Sequence, residues 1–344
     1  MKHIYAKMII LTLVLSILSI AFVVPASANG PIEHTKIQTG FTVDPNHPGT
    51  LIAKGSTIHH LTTGEVDIIG ADGSINMIAL QSQSNFVMTP FGLKKADTVY
   101  DIPNEAHIVP SADGHITKVL DENRQIFFTV IDDETLSQIA AQQNGNIIGT
   151  TYYTSASQFG GYFRVPAPPQ NTSDTDYYWI GVQKGSCLGQ TVLQWNQPGY
   201  SQEWTIANWA NSGYGYYHGN MPQVFQNDVI NSQLVYNASY SEWYVQGQDV
   251  TTGITASTAY VANMGETGDT IITSLETYNG LGQVVYTPAD MPGSEYFYFL
   301  TLYLANGNYH SISWTLYNPY HIPTSTVQLT YGSNGDWVTY NTYH

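Results

Sequence analysis

Positive charge and cysteine are both scarce in this sequence. The chain of 344 residues contains ten lysines and arginines against 26 aspartates and glutamates, and one cysteine. Residues 151–344 hold two of the basic side chains, Arg164 and Lys184, against twelve acidic ones. Such a surface repels nucleic acid and anionic membranes, so we expect neither as a partner. Because Cys187 stands alone, no disulfide can form within the chain, and stability must come from burial and from hydrogen bonding in sheets.

The shortage of lysine and arginine also leaves few carboxylates held ionised by salt bridges. Acid then breaks few ion pairs and discharges the self-repulsion of an acidic chain. The composition therefore indicates tolerance of low pH, although a halophilic or simply lysine-poor surface would look the same.

Several catalytic and metal-binding motifs are also absent from the sequence. It contains no GxSxG, HExxH or P-loop motif, no zinc-spaced set of cysteines and histidines, and no EF-hand loop. The adjacent His59 and His60 would point to opposite faces of a strand, which argues against a shared metal ion. We therefore expect neither a metal nor a cofactor. Cys187 has no histidine near it in a recognisable motif, and we interpret it as structural or incidental.

One apolar run is long, and it lies at the N-terminus. Met8–Val24 follows two lysines and precedes Ala26-Ser27-Ala28, an A-x-A cleavage signal. We interpret residues 1–28 as a signal peptide, and an uncleaved anchor is the alternative. The sequence thus predicts a secreted, extracellular protein that is free of the membrane after cleavage.

The rest of the chain divides by composition near residue 150. Residues 29–150, termed the leader, have ordinary charge, few tyrosines and strand-like runs at Gly64–Ile69, Ile75–Leu80 and Gln125–Ile131. Residues 132–143 open with acidic side chains and place apolar ones at helical spacing, which predicts a short helix. We expect the leader to be a mostly β or α+β domain, either a propeptide or a permanent N-terminal domain.

Residues 151–344, termed the sandwich domain, are crowded with Tyr, Trp, Thr, Ser, Asn and Gly in short alternating runs. Turn signals such as Asn279-Gly280 and Asn306-Gly307 separate the runs. Many evenly spaced strands without helical periodicity are typical of an antiparallel sandwich. The predicted fold class is therefore all-β, with a jelly-roll or concanavalin-like β-sandwich.

The stretch Tyr177–Asn196 is predicted to form a hairpin. It consists of two strand-like runs around the turn residues Lys184–Gly189. Because side chains alternate along a strand, Gln194 faces one side while its neighbours Leu193 and Trp195 face the other. If those two neighbours pack inward, Gln194 presents its amide to a cleft or to solvent.

Glu276 lies inside the strand-like run Thr270–Tyr278 rather than in a turn, where carboxylates usually occur. On a partly buried face, desolvation would raise the pKa of its carboxyl. Such a carboxyl can take a proton from water and return it to a leaving group. The strand pattern alone also allows a plain surface carboxylate that faces solvent.

The segment WIGVQKGSCLGQTVLQ, residues 179–194, resembles the W-x-G-x-D…C-x-G…LQ segment of the eqolisin-type glutamic peptidases. GGYFRVPAP upstream, QNDVINSQLVYNASYSEWYVQ between and SLETYNGLGQVVYTPADMPG downstream resemble further parts of that family in the same order. The similarity covers about residues 158–320. It places Gln194 and Glu276 82 residues apart, near the spacing that we expect of the family's pair.

The resemblance implies an activity and roles for named residues. The family consists of exported, acid-acting endopeptidases with a Gln/Glu dyad. Carried over, Glu276 is the general base and acid that acts on water, and Gln194 stabilises the oxyanion. The implied substrate-binding residues are Trp179, Gln183 and Trp209. The same resemblance implies protein or peptide substrates. It also implies that the leader covers the cleft until acid releases it. We further expect the protein to be a monomer.

The sequence departs from the family's pattern at two positions near the dyad. Gln183 stands where the family has Asp, and Thr277 follows Glu276 where the family usually has Trp. Glu242-Trp243 has that dipeptide but lies too close to Gln194 along the chain, so Glu242 is only a rival to Glu276.

A hypothesis from a different class is an exported carbohydrate-binding or adhesive module without catalysis. Faces rich in Trp and Tyr suit the stacking of sugars, and the sandwich architecture also serves lectins. The fold alone does not decide between this module and the peptidase.

Overall fold

Strands and tight turns make up nearly all of the chain that the computed structural model describes. The structure describes residues 40–44, 49–78, 86–133, 148–197, 199–213, 215–262 and 264–343. No α-helix occurs in these ranges, so they include no helix long and apolar enough to cross a membrane. The all-β class predicted from the sequence is confirmed. The predicted signal peptide lies outside the described residues, as do residues 134–143 of the predicted helix.

The described part of the leader consists of short strands joined by turns, and all three runs predicted as strands occur. The elements are β1 (Phe41–Thr42), β2 (Thr50–Leu51), β3 (Ser56–His60), β4 (Val66–Ile69), β5 (Ile75–Ile78), β6 (Phe86–Thr89), β7 (Gly92–Lys95), a 3-10 turn (Ala96–Thr98), β8 (Val99–Asp101), β9 (Ala106–Pro110), β10 (Ile116–Leu120) and β11 (Ile126–Asp132). Most sequential neighbours pair antiparallel, whereas β3 pairs parallel with β11.

The sandwich domain is built from longer strands with many β-branched and aromatic residues, which favour a pleated, half-buried surface. They are β12 (Ile148–Arg164), β13 (Thr175–Lys184), β14 (Cys187–Trp195), β15 (Trp204–Asn211), β16 (Tyr216–His218), β17 (Gln223–Val224), β18 (Val229–Asn237), β19 (Glu242–Asp249), β20 (Ala259–Val261), β21 (Gly268–Tyr278), β22 (Glu295–Leu304), β23 (Thr315–Tyr317), β24 (Val327–Tyr331) and β25 (Trp337–Thr342). The predicted hairpin is β13 and β14, joined by a tight turn at Gly185-Ser186.

Strand β12 takes part in both layers of the sandwich. Its first half pairs with β21 and β23, and its second half pairs with β18 and β22 after a register shift between Tyr153 and Ala156. The first layer continues from β21 through β13 and β14 to β15. The second layer continues from β18 to β19 on one side and from β22 to β25 on the other. Buried side chains such as Leu193, Val245 and Leu275 fill the main core.

Two leader strands extend the sheets of the sandwich domain. Strand β8 pairs parallel with β16, and β9 pairs parallel with β20. Strand β12 itself crosses the composition boundary near residue 150. The described leader and the sandwich domain therefore belong to one compact unit. The division into a propeptide at 29–150 and a catalytic domain at 151–344 stays a prediction.

Candidate active site

Gln194, Tyr177 and Glu276 lie in one row across three adjacent strands. Strand β13 pairs with β14 on one side and with β21 on the other, and Tyr177 is directly opposite both Gln194 and Glu276. Directly opposed residues point to the same face of a sheet. Because neighbouring strands are about 4.8 Å apart, the α-carbons of Gln194 and Glu276 are about 10 Å apart. We call these three residues the dyad row.

Strand alternation fixes the side of the first layer that the dyad row faces. Leu193 and Leu275, each one position before a row residue, pack into the main core between the layers. Gln194 and Glu276 therefore face the outer side of this layer, where Tyr177 belongs to a second, separate apolar cluster.

The Glu276 carboxyl is fully buried and is held by two side chains on its own face. The indole of Trp179 donates to Oε1 at 2.9 Å, and the hydroxyl of Tyr278 donates to Oε2 at 2.8 Å. Burial raises the pKa of Glu276 to about 8, against the two hydrogen bonds and the charge of Lys94, which lower it. In this arrangement Glu276 is mostly a neutral acid at pH 7.

The Gln194 carboxamide is also fully buried and uses both of its ends. Trp209 donates its indole N–H to Gln194 Oε1 at 3.0 Å. The Gln194 Nε2 group donates to the Thr205 hydroxyl at 3.0 Å and to the Met221 sulfur at 2.9 Å. Because a thioether is a weak acceptor, a stronger acceptor can readily take over the N–H that now points at Met221.

The leader covers the dyad row. The hairpin of β6 and β7, Phe86–Lys95, is termed the cover hairpin and is a separate two-stranded sheet. Its residues Val87, Met88 and Phe91 are buried in the same apolar cluster as Tyr177. In this structure the outer face of the dyad row is therefore packed with leader side chains rather than open to solvent.

A chain of hydrogen bonds ties the cover hairpin to the dyad row. The Tyr177 hydroxyl donates to Gln197 Oε1 at 2.7 Å. The Gln197 Nε2 group in turn donates to the main-chain carbonyl of Met88 at 2.9 Å. The sandwich domain therefore holds the hairpin through its backbone as well as through apolar packing.

The structure brings together four of the five residues that the resemblance assigned to the site: Gln194, Glu276, Trp179 and Trp209. Gln183 lies apart, since it is six residues beyond Tyr177 on β13, which is about 20 Å along the strand. Its side-chain amide donates to the carbonyl of Gly185 at 2.9 Å. The departure from the family's Asp at this position therefore falls outside the dyad row.

The rival carboxylate, Glu242, is buried elsewhere. Its Oε2 lies 2.5 Å from Nδ1 of His107 and 3.5 Å from the guanidinium of Arg124, both on the leader. Glu242 is thus one side of a contact between leader and sandwich domain rather than a member of the dyad row.

Sequence reasoning missed several residues around the dyad row. Tyr278 was within reach of that reasoning, because alternation places it on the face of Glu276 two positions away. Met221 and Lys94 carry no such signal, since one follows β16 and the other lies on the leader. Within the described residues, no group of three or more His, Cys, Asp and Glu side chains could hold a metal ion.

Comparison with known proteins gives a weak likeness of the fold. No family model and no curated protein matches the sequence. Two structures of scytalidoglutamic peptidase with transition-state analogues are 14% identical to the chain, with TM-scores of 0.41 and 0.42; each covers 58% of this chain and 98% or 99% of its own. Arcelin-5, a lectin-like defence protein from Phaseolus vulgaris, is 11% identical with a TM-score of 0.25, over 55% of this chain and 86% of its own.

Proposed function

We propose that this chain is a secreted, acid-acting endopeptidase that hydrolyses peptide bonds with Glu276 and Gln194. The observation that carries the proposal is the dyad row, in which a carboxyl and a carboxamide project from one face on either side of Tyr177. A tryptophan orients each of them, Trp179 the carboxyl and Trp209 the amide. Two such side chains, about 10 Å apart at their α-carbons, leave room for a water and a peptide carbonyl.

In the proposed reaction, Glu276 acts as base and then as acid. The ionised carboxylate takes a proton from water while the water oxygen bonds to the carbonyl carbon. The carboxyl then gives this proton to the amine nitrogen as the carbon–nitrogen bond breaks. Trp179 and Tyr278 keep the carboxyl in place, and their hydrogen bonds stabilise its ionised form.

Gln194 stabilises the charge that develops on the carbonyl oxygen. Its Nε2 group turns one N–H from the weakly accepting Met221 sulfur to the oxyanion, while the bond to Thr205 stays in place. An oxyanion donor of this kind typically contributes about 3 kcal/mol to transition-state stabilisation.

The cover hairpin would keep this site latent in two ways. It fills the space that a substrate needs, and it buries Glu276, which is the largest cause of the raised pKa of that carboxyl. A neutral carboxyl cannot act as a base. Removal of the hairpin would return water to Glu276 and lower its pKa toward the ordinary range near 4.5, so that the opened site works in acid.

The proposal is tested with the full chain and a denatured protein substrate between pH 3 and pH 7. Wild-type protein is compared with a Phe91→Asp variant, in which a charge in the apolar contact displaces the cover hairpin. In both backgrounds we expect Glu276→Gln to lower the cleavage rate about 10³-fold or more and Gln194→Ala about 10²- to 10³-fold. Equal cleavage with and without Glu276, or no cleavage in either background at any pH, would overturn it.

A second candidate function, carbohydrate binding, is favoured by a strip of aromatic side chains on the second layer. The rings of Trp337, Tyr296 and Tyr298 follow one another with centroid distances of 6.0 and 5.3 Å, and Tyr162 lies 5.8 Å beyond. Phe299 beside them is 70% exposed and has a φ of +50°, a strained conformation for a bulky residue.

This candidate makes a distinct prediction in the same preparation. If the chain is a binding module, immobilised polysaccharides retain it, and Phe299→Ala and Tyr296→Ala weaken this retention. No proteolysis then occurs at any pH. Proteolysis that depends on Glu276, with no retention on polysaccharides, excludes this candidate.

A further inference from the structure

The tip of the cover hairpin presents one aromatic side chain to the sandwich domain. Thr89 and Gly92 pair across a two-residue turn, Pro90-Phe91, and Gly92 supplies the φ of +81° that ends the turn. The Thr89 hydroxyl accepts from the Phe91 N–H at 3.1 Å and donates to the Gly92 carbonyl at 2.7 Å. The proline and these hydrogen bonds fix the direction in which Phe91 projects.

Phe91 fills a pocket beside Gln194. Its side chain is 6% exposed, and its ring centroid lies 5.0 Å from that of Tyr216 and 6.2 Å from that of Trp209. Met221 belongs to the same cluster. Trp209 is thus a wall of the Phe91 pocket and also donates to the Gln194 amide, and Met221 of the same cluster accepts from that amide. The pocket therefore adjoins the side chains that position the proposed oxyanion donor.

The sandwich domain also binds the backbone of the hairpin close to the dyad row. The bond from Gln197 to the Met88 carbonyl does not depend on the side chain at position 88. A main-chain bond next to a deep apolar pocket is how extended peptides are commonly recognised, with affinity from the backbone and selectivity from the pocket. Lys94 completes the contact, with its ammonium 5.0 Å from the ring of Tyr216.

We propose that the cover hairpin Phe86–Lys95 is a pseudosubstrate, and that the pocket of Trp209, Tyr216 and Met221 binds a bulky apolar side chain of the peptide substrate. This inference rests on the proposed function and adds the substrate class and the inhibitory element. A peptide with Phe, Leu or Met at the matching position would replace Phe91, while Gln197 would hold its backbone as it now holds Met88.

The first test measures release of the inhibitory contact in the full chain. Phe91→Asp should raise the rate of cleavage of a denatured protein at least tenfold over wild type at the same pH, and Phe91→Ala should raise it less. Phe86→Asp is the matched control, since Phe86 is on the same hairpin but is 53% exposed, and it should leave the rate unchanged. Thermal unfolding of each variant reports whether it remains folded.

The second test supplies the hairpin sequence in trans. A synthetic peptide FVMTPFGLKK should inhibit the Phe91→Asp protein competitively with substrate, and the same peptide with Asp for its second Phe should be at least tenfold weaker. In a peptide library, substrates with Phe in the preferred position should be cut about 10- to 100-fold faster than those with Ala. Tyr216→Ala should lower this ratio of cleavage rates about tenfold, because the proposed pocket loses one of its aromatic walls.

Failure of this inference can be told apart from failure of the proposed function. If the Phe91→Asp protein cleaves substrates, is not inhibited by the peptide and shows no preference for bulky residues, the pseudosubstrate proposal is wrong. The proposed peptidase function would remain supported by that cleavage. If folded Phe91→Asp protein cleaves nothing at any pH, the proposed function fails, and the inference fails with it.

Discussion

The leader meets the sandwich domain in two chemically different ways. The cover hairpin packs three apolar side chains on the dyad row, those of Val87, Met88 and Phe91, and the hydrogen bond from Gln197 to the Met88 carbonyl adds a polar link. Strand β9 instead places Nδ1 of His107 2.5 Å from a carboxyl oxygen of Glu242, with both side chains no more than 2% exposed. Apolar burial is non-directional, whereas two buried polar side chains in close contact each depend on the other as a hydrogen-bonding partner.

Aromatic rings surround the contact between His107 and Glu242. The His107 ring stacks on Tyr260 with a centroid distance of 4.5 Å and meets the edge of Tyr240 at 4.8 Å. Arg124 lies over the same Tyr240 ring. One contact therefore covers a carboxyl with apolar side chains, and the other surrounds a carboxyl with basic side chains and aromatic rings.

The largest expected effect is a loss of stability as the pH rises. The folded pKa of Glu276 is about 8 against an ordinary 4.5, and burial also raises the pKa of Asp176 and Glu295 well above the ordinary range. These carboxyls bind protons more tightly in the folded state, so their contributions to stability fall as the pH rises. The contribution of Glu276 is fully present below about pH 4.5 and is lost progressively up to about pH 8. Glu276 alone contributes roughly 3–5 kcal/mol to this loss.

Chemical denaturation at a series of pH values measures this effect. Glu276→Gln keeps the shape of the side chain and cannot ionise, so stability should fall less steeply between about pH 4.5 and pH 8 than in the wild type. An unchanged curve in this variant would mean that Glu276 is not buried as a neutral acid. Because acid favours the neutral, covered form of Glu276, this carboxyl works against the predicted release of the leader by acid.

The next effect in size is the loss of the buried contact between His107 and Glu242. His107→Ala removes the nearest polar partner of the buried Glu242 side chain and should lower the free energy of unfolding by about 3 kcal/mol. His59→Ala is the matched control, because the His59–Asp133 pair is 2.7 Å long but both side chains are over a quarter exposed. The control should cost less than about 1 kcal/mol. Similar losses of free energy of unfolding in the two variants would show that the buried His107 contact stabilises the fold no more than the exposed His59 contact does.

The smallest of these effects is expected within the apolar contact. Met88→Ala removes a buried side chain that packs in the same apolar cluster as Tyr177 of the dyad row. It should lower the free energy of unfolding by about 2 kcal/mol, and this loss should not change with salt between about 0.05 and 0.5 M. Leu93→Ala on the same hairpin, where the side chain is 41% exposed, should cost less than about 0.5 kcal/mol. A loss at Met88 that changes with salt would contradict the apolar character of this contact.

Local pattern reaches only the parts of the site that lie within single strands. Alternation predicted that Gln194 and Leu193 point to opposite faces of β14, and the structure has this arrangement. The same rule puts Tyr278 on the face of Glu276, although Tyr278 was not assigned to the site from the sequence. What alternation cannot give is that β13 lies between β14 and β21, because that pairing joins residues almost a hundred positions apart. The dyad row exists only through this strand order.

The cover hairpin shows a second limit of sequence reasoning. Its residues Val87, Met88 and Phe91 form no pattern that separates a core strand from a hairpin that packs on another domain. Gln183 shows the opposite case, a residue to which the resemblance gave weight and which the strand places far from the dyad row. Spacing along the chain identified the segments, and three-dimensional pairing decided which residues meet.

The parallel pairing of β8 with β16 and of β9 with β20 has a consequence for maturation. Each leader strand lies along β16 or β20, which would otherwise be an edge strand of the sandwich domain, and its main chain satisfies N–H and C=O groups there that would otherwise be unpaired. A single cut between leader and sandwich domain would therefore leave the leader attached through these ladders. Complete maturation would require digestion of the leader itself, and the freed edges of β16 and β20 would then be open to strand addition by other chains.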